Sequence, residues 1–380
     1  MWAKRNPALA TGLVQQMNLV RLLKIALTGG ALFLALALPT VALAATVSVE
    51  ETKGIYKSEE ANFVNLRFSA HASEDNAVVV RTVTAEHGTN LVLSVTDSGA
   101  PLIAGPGCSP YGTSVWCNLS LPRGPEANPG PFKGITPVPG TRWVGSMTID
   151  LGDGRNSFDG AAFSAELDRS FAMSVTSGAG DDSITTGGGD DLIDPGAGSD
   201  VVHTNDGRDR VLTTAAPDGP DVYDLGPDYY NPARFGADEV DYSRRSLPIA
   251  WDAGRGMVAD EGDTLTGVEN VYGGSGDDVL RGNELENFLV GGPGNDVLVG
   301  GSNWDVLMGG DGQDELLGGQ DPDVLLGEAG DDTAYGGRDH DVIKCGAGWD
   351  QALRIDRDRQ NRCEVQRFAD GTGLDSLLRS

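Results

Sequence analysis

The chain has 380 residues, enough for two or three ordinary domains, yet 54 are Gly and 56 are Asp or Glu against 28 Lys or Arg, a formal net charge of -28. Such a surface repels nucleic-acid phosphates, so cations or basic partners are expected and nucleic acid is not. An acidic excess usually marks only a solvated or disordered surface, unless the acids recur at fixed spacing.

Residues 1–44 read as an export signal. Arg21 and Lys24 precede the apolar run from Ile25 to Leu38, and Ala42-Leu43-Ala44 offers a small-x-small cleavage site. The apolar core, about 14 residues, falls short of the roughly 20 that span a bilayer, which favours cleavage over a membrane anchor. Met17 opens a stretch of more usual signal length and is an alternative start. No later segment reads as a membrane span, and the expected location is extracellular. Four cysteines, Cys108, Cys117, Cys345 and Cys363, fit an oxidising compartment. Three pairings are possible in principle; closeness along the chain favours Cys108 with Cys117 and Cys345 with Cys363.

Residues 45–150 form a β-rich region. Val47 and Val49, Phe63 to Phe68, Val78 to Val83, Leu91 to Val95 and Val144 to Leu151 alternate or run apolar. Pro and Gly crowd the segment from Gly99 to Gly140, predicting loops stapled by a Cys108–Cys117 bridge. The pattern fits either a small sandwich or an irregular start to the repeats further along.

Residues 151–224 hold a first repeat block. SGAGDDSIT, TGGGDDLID, PGAGSDVVH and TNDGRDRVL run from Ser177 to Leu212, with Asp182, Asp191, Asp200 and Asp209 at position 6 and Ile184, Ile193, Val202 and Val211 at position 8. LGDGRNSFD (151–159) looks like a degraded copy, and APDGPDVYD (216–224) keeps the phase of one repeat. Residues 225–272 read as an irregular insertion, with Asp263-Thr264-Leu265 and Glu269-Asn270-Val271 as strands leading back into register. Residues 273–353 are a second block, nine nonapeptides without a gap. Position 6 is Asp278, Asn287, Asp296, Asp305, Asp314, Asp323, Asp332, Asp341 and Asp350; position 8 is Leu, Ile or Ala throughout.

Chemistry accounts for this period. A Gly-rich half-repeat can turn tightly and point carbonyls inward, while the last three residues are extended and bury position 8 between outward-facing neighbours. Two nonapeptides then make one coil of 18 residues, and position 6 of one turn lies roughly 4.8 Å from position 6 of the next. Calcium takes six to eight oxygens at about 2.3–2.6 Å, which carboxylates from stacked turns plus turn carbonyls can supply. Without an ion, two carboxylates roughly 5 Å apart repel by about 1 kcal/mol in water and by more when partly desolvated.

Position 4 supports the 18-residue coil. It is Gly276, Gly294, Gly312, Gly330 and Gly348 in the odd repeats of the second block, and Leu285, Asn303, Asp321 and Asp339 in the even ones. The two classes fall on opposite edges. Asn and Asp enter the left-handed region at some cost and Leu does so poorly; Pro322 further restricts Asp321. The odd edge is therefore expected to hold calcium more tightly than the even edge, which begins at Asn287.

These residues resemble the RTX, or haemolysin-type calcium-binding repeat, family over about 177–353, with weaker traces from 150. The resemblance implies an all-β, right-handed parallel β-roll with several Ca2+ ions between turns. By motif position it gives a metal-ligand role to Asp182, Asp191, Asp200, Asp209, Asp278, Asp296, Asp305, Asp314, Asp323, Asp332, Asp341 and Asp350. Many members are toxins, proteases or lipases, and those exported by a type I system usually use an uncleaved C-terminal signal. The N-terminal signal here departs from that pattern. Residues 354–380 read as a cap and tail: Cys363 lies one coil beyond Cys345, and Arg354, Arg357, Arg359, Arg362 and Arg367 set a basic segment beside an acidic roll.

No catalytic constellation emerges. His71, His87, His203 and His340 form no H-E-x-x-H, no G-x-S-x-G elbow occurs, and the abundant acid pairs follow the repeat, so no glycosidase dyad stands out. Trp304 and Trp349, at position 5 of their turns, read as exposed or locally packed rather than as a sugar platform. The expected protein is a secreted calcium-binding roll without catalytic activity. The alternatives are a calcium-dependent surface adhesin or matrix protein binding through residues 45–150, and a secreted hydrolase with its active site there. For the two edges, Asp314→Ala should remove more bound calcium than Asp323→Ala when stoichiometry is measured at limiting calcium; equal losses would contradict the ranking.

Overall fold

A computed structural model describes residues 44–56, 59–70, 75–84, 91–118, 142–161, 172–226, 238–258, 262–354, 359–361 and 364–367. The expected export segment up to residue 43, His71, His87, Cys363 and everything beyond residue 367 lie outside the described residues. All of the described residues belong to the unit Ala42–Ser380.

The repeats fold as a parallel β-roll. Positions 7 to 9 of successive nonapeptides become short strands that alternate between two sheets. Val279 pairs in parallel with Val297, Val297 with Glu315, Glu315 with Thr333 and Thr333 with Gln351. On the other sheet Phe288 pairs with Val306, Val306 with Val324 and Val324 with Val342. Every step is 18 residues, the coil length that the position-4 alternation predicts. Position 8 faces inward: Leu280, Leu289, Leu298, Leu307, Leu316, Leu325 and Ile343 have no exposed surface. Each such residue removes an apolar side chain from water, worth about 1.5–3 kcal/mol, and the next rung covers it from above.

The first block continues the same two sheets. Ser183–Thr185 stacks on Val201–His203 and that on Val222–Asp224, while Ala172–Thr176, Leu192–Asp194 and Arg210–Leu212 stack on the opposite side. The degraded copy is a true rung, with Ser157–Asp159 parallel to Ser183–Thr185. Within 225–272 the expected strands at Thr264–Thr266 and Asn270–Tyr272 are present, and the described residues hold further strands that the sequence pattern does not predict. Glu239–Asp241 is a full rung between Arg210–Leu212 and Asn270–Tyr272. Ala250–Asp252 and Met257–Val258 form an antiparallel hairpin that joins the other sheet. Buried Val240, Trp251 and Val258 explain why: each fills the core position of a strand although the nine-residue spacing is lost, and Tyr242, just past the first, is buried as well.

The described strands of residues 45–150 join the two sheets of the roll rather than forming a separate sandwich. Ala45–Tyr56 and Glu59–Ser69 make an antiparallel hairpin, and the second of these runs parallel to Arg142–Asp150, which pairs with Ala172–Thr176. On the other side Ala77–Thr84 lies parallel to Ser157–Asp159 and is extended by antiparallel Leu91–Asp97, Ser114–Asn118 and Cys108–Tyr111. One buried apolar cluster runs from Ala45 and Val47 through to Ala352. Cys108 is bonded to Cys117 across the last hairpin. Cys345 is buried and disulfide-bonded; its expected partner is outside the described residues. At the far end Arg359–Asn361 and Glu364–Arg367 add parallel strands to the two sheets. Among the described residues no helix is long and apolar enough to cross a membrane.

Close stacking of turns makes specific glycines indispensable. Gly312 has φ +149°, and a Cβ there would run into the Gly294 carbonyl. Gly112 has φ +64° with nothing within 4 Å. Gly312→Ala should therefore destabilise by about 2–5 kcal/mol, combining backbone strain with a steric clash. Gly112→Ala should cost about 1–2 kcal/mol. Urea midpoints in calcium buffer would compare them, and equal effects would contradict the stacking described.

Candidate metal-binding edges

Each turn ends at position 6, where the chain leaves the turn and enters a strand. There the side chain is buried and bonded to its neighbouring rung. On the edge that carries the odd repeats, the N–H of Asp278 donates to Asp296 Oδ1 (2.7 Å), that of Asp296 to Asp314 (2.9 Å), that of Asp314 to Asp332 (3.0 Å) and that of Asp332 to Asp350 (3.1 Å). The even edge repeats this with Asn287 to Asp305 (2.8 Å), Asp305 to Asp323 (2.9 Å) and Asp323 to Asp341 (2.9 Å). In the first block Asp182 donates to Asp200 and Asp191 to Asp209, both at 2.8 Å. All twelve aspartates named from the sequence thus lie on two edge ladders. Their carboxylates do not confront one another head-on, because each is held by the backbone amide of the rung before it.

The ladders extend beyond those twelve residues. Asn156 donates to Asp182, Asp200 to Asp221, Asp221 to Asp263, and Asp209 to Asp238. Asn156 and Asp221 occupy position 6 of the two degenerate repeats. Asp238 and Asp263 stand two residues before buried Val240 and Leu265. That signal, an acid or amide two residues ahead of a core residue, would have located them without a complete motif.

The second carboxylate oxygen behaves differently. Oδ2 of Asp200, Asp296, Asp305, Asp314, Asp323, Asp332 and Asp350 is buried with no hydrogen-bond partner. From Asp296 to Asp332 it points at the position-1 glycine of its own repeat. A Cβ on Gly318 would strike both Asp323 Oδ2 and the Gly336 carbonyl; one on Gly327 would strike Asp332 Oδ2 and the Cys345 carbonyl. A carboxylate oxygen and a carbonyl from the following coil thus converge on space kept open by a missing side chain. Among the described residues no three His, Cys, Asp or Glu side chains cluster, so an ion held here would draw on carbonyls as well as carboxylates. Hard oxygen donors of this kind suit calcium.

Electrostatics point the same way. Burial pushes Asp200 and Asp323 up to about 8, Asp296 and Asp305 to about 7 and Asp314 to about 6; carboxylates near each add to the rise, and the amide bond to Oδ1 only partly offsets it. Asp182, Asp191, Asp278 and Asp332 are also raised, chiefly by burial. A buried ionised oxygen without a partner is costly, and a proton or a metal ion relieves the cost.

The two edges differ in their turns. Position 4 of the even edge is left-handed at Asn303 (φ 71°), Asp321 (φ 72°) and Asp339 (φ 75°), and Leu285 does not adopt that conformation. Odd-edge glycines Gly294, Gly312, Gly330 and Gly348 sit at φ 140–156°. Trp349 is exposed and Trp304 borders on exposure, on opposite edges.

Comparison with known proteins agrees with this geometry. The family model described as RTX calcium-binding nonapeptide repeat (4 copies) matches residues 174–202, 263–284, 282–316, 308–343 and 317–350. A search of curated proteins found no match.

The raised carboxyls set a pH dependence for the calcium-free roll. They bind protons more tightly in the fold than in the unfolded chain, where an Asp titrates near about 3.9. Their contribution is fullest below that value and is lost as pH rises through about 6 to 8. Thermal melting in EDTA should show a lower Tm at pH 8 than at pH 5, and saturating calcium should narrow or reverse the difference. A Tm in EDTA that rises over that interval would contradict the burial described.

Proposed function

We propose that this chain, a carrier of RTX calcium-binding nonapeptide repeats, is a secreted, non-enzymatic protein whose roll is completed and stiffened by several calcium ions met outside the cell. The supporting observation is the row of buried Oδ2 atoms without partners beside glycine-lined space. On this reading Asp278, Asp296, Asp314, Asp332 and Asp350 hold calcium along the odd edge, and Asp305, Asp323 and Asp341 hold it along the even edge. Asp182, Asp191, Asp200 and Asp209 serve in the first block. Bound calcium supplies positive charge that neutralises carboxylates from successive rungs and cross-links the coils.

The even edge is the weaker of the two. Its first position is the amide Asn287, whose Nδ2 donates to the Glu269 carbonyl, and its turns hold non-glycine residues in the left-handed region. Extracellular modules bind calcium at about 10⁻⁴–10⁻³ M, so folding of the calcium-dependent part would wait until after export. The export segment and the absence of catalytic motifs, both read from the sequence, support secretion and a binding role.

Circular dichroism, melting and native mass spectrometry of the chain from residue 45, in EDTA and in millimolar CaCl₂, test this. Calcium should add β-sheet ellipticity, raise Tm by about 10 °C or more and appear as several bound ions. Identical spectra and melting with no bound metal would end the proposal.

A further inference from the structure

Between the two repeat blocks, both edge ladders change character. On the odd edge Asp221 and Asp263 use Oδ1 as their neighbours do, accepting from the amides of Asp200 and Asp221. Their second oxygens accept from buried tyrosine hydroxyls, whereas Asp182 Oδ2 accepts from the Ser177 hydroxyl and Asp278 Oδ2 from the Gly274 amide of its own turn. Tyr223 donates its hydroxyl to Asp221 Oδ2 at 2.6 Å, and Tyr242 donates to Asp263 Oδ2 at 3.2 Å. Both tyrosines are buried, as is Arg245 at 2% exposure. The Arg245 guanidinium lies 3.7 Å from Asp218 Oδ1 and 5.7 Å above the Tyr242 ring. A buried guanidinium requires anionic company, and these carboxylates provide it.

The stacking itself also breaks here. Thr264–Thr266 pairs in parallel with Val222–Asp224, yet the next strands, Met257–Val258 and Ala250–Asp252, enter antiparallel before parallel pairing resumes at Val279–Arg281. Asp278 Oδ1 therefore accepts from Ile249, not from an acidic rung. On the even edge the run is interrupted by neutral Asn287, with Glu269 in the rung before it.

We infer that the roll contains a metal-independent joint, in which Arg245, Tyr223, Tyr242 and the amide of Asn287 take the place that calcium has elsewhere, so that the two blocks load calcium as separate ladders. This rests on the calcium reading for the blocks themselves, and extends it by naming turn aspartates, Asp221 and Asp263, that share the ladder and bind no ion. The joint keeps its structure when calcium is withdrawn and gives the second block a formed rung on which to assemble.

Two measurements on the full mature chain test this. Native mass spectrometry at saturating CaCl₂ should show the wild-type ion count unchanged in Asp263→Asn and lowered by at least one in Asp314→Asn. Hydrogen exchange in EDTA should leave amides of Val222–Asp224 and Thr264–Thr266 at least about tenfold slower than those of Val297–Gly301 and Glu315–Gly319. Loss of an ion in Asp263→Asn, or exchange at the joint as fast as in the second block, overturns the inference. A wild-type chain that binds no calcium and stays protected throughout in EDTA overturns the calcium reading itself, and the joint with it.

Discussion

Along the described ladders of the second block a backbone amide meets one oxygen of the next rung's aspartate, and from Asp296 to Asp332 the other oxygen of that carboxylate is left buried without a partner. The amide would otherwise be an unsatisfied donor at the point where the chain leaves the turn for the strand. Closing it with a carboxylate registers one coil on the next, as the run from Asp278 to Asp350 shows. The same act places a charge where water cannot solvate it. Rung registry and the need to neutralise that carboxylate, by a proton or a metal ion, therefore arise together.

That coupling explains where glycine is tolerated and where it is required. Position-1 glycines leave room beside Oδ2, and position-4 glycines let a turn lie directly over the carbonyl of the turn below, as Gly312 does over Gly294. A side chain at Gly318 or Gly327 would fill the proposed ion space; one at Gly312 would strike the turn below. Between the blocks the carboxylates of Asp221 and Asp263 accept instead from buried tyrosines, buried Arg245 lies beside Asp218, and the strict repeat relaxes.

Solenoid ends expose unpaired strand edges that invite association. Here the first rung is covered by antiparallel hairpins from residues 45–118, tied by Cys108–Cys117. The last rungs are covered by Arg359–Asn361 and Glu364–Arg367. The N-terminal region is thus architecturally part of the roll, which is why its apolar residues join one continuous cluster with the repeats.

Much was legible in the chain alone because the repeat is local: a residue's place in nine fixes whether it turns, faces inward or carries a carboxylate. The period, the 18-residue coil, the buried position 8 and the twelve edge aspartates all derive from spacing. Where spacing fails, local rules say little. That residues 45–150 extend both sheets, and that Glu239–Asp241 is a rung, depend on pairings between segments far apart in the chain. The division of labour between the two carboxylate oxygens, and the burial of Arg245 beside Asp218 and Tyr242, likewise arise only when separate coils stack. Composition announces that acids recur; packing alone decides which of their oxygens the protein satisfies for itself.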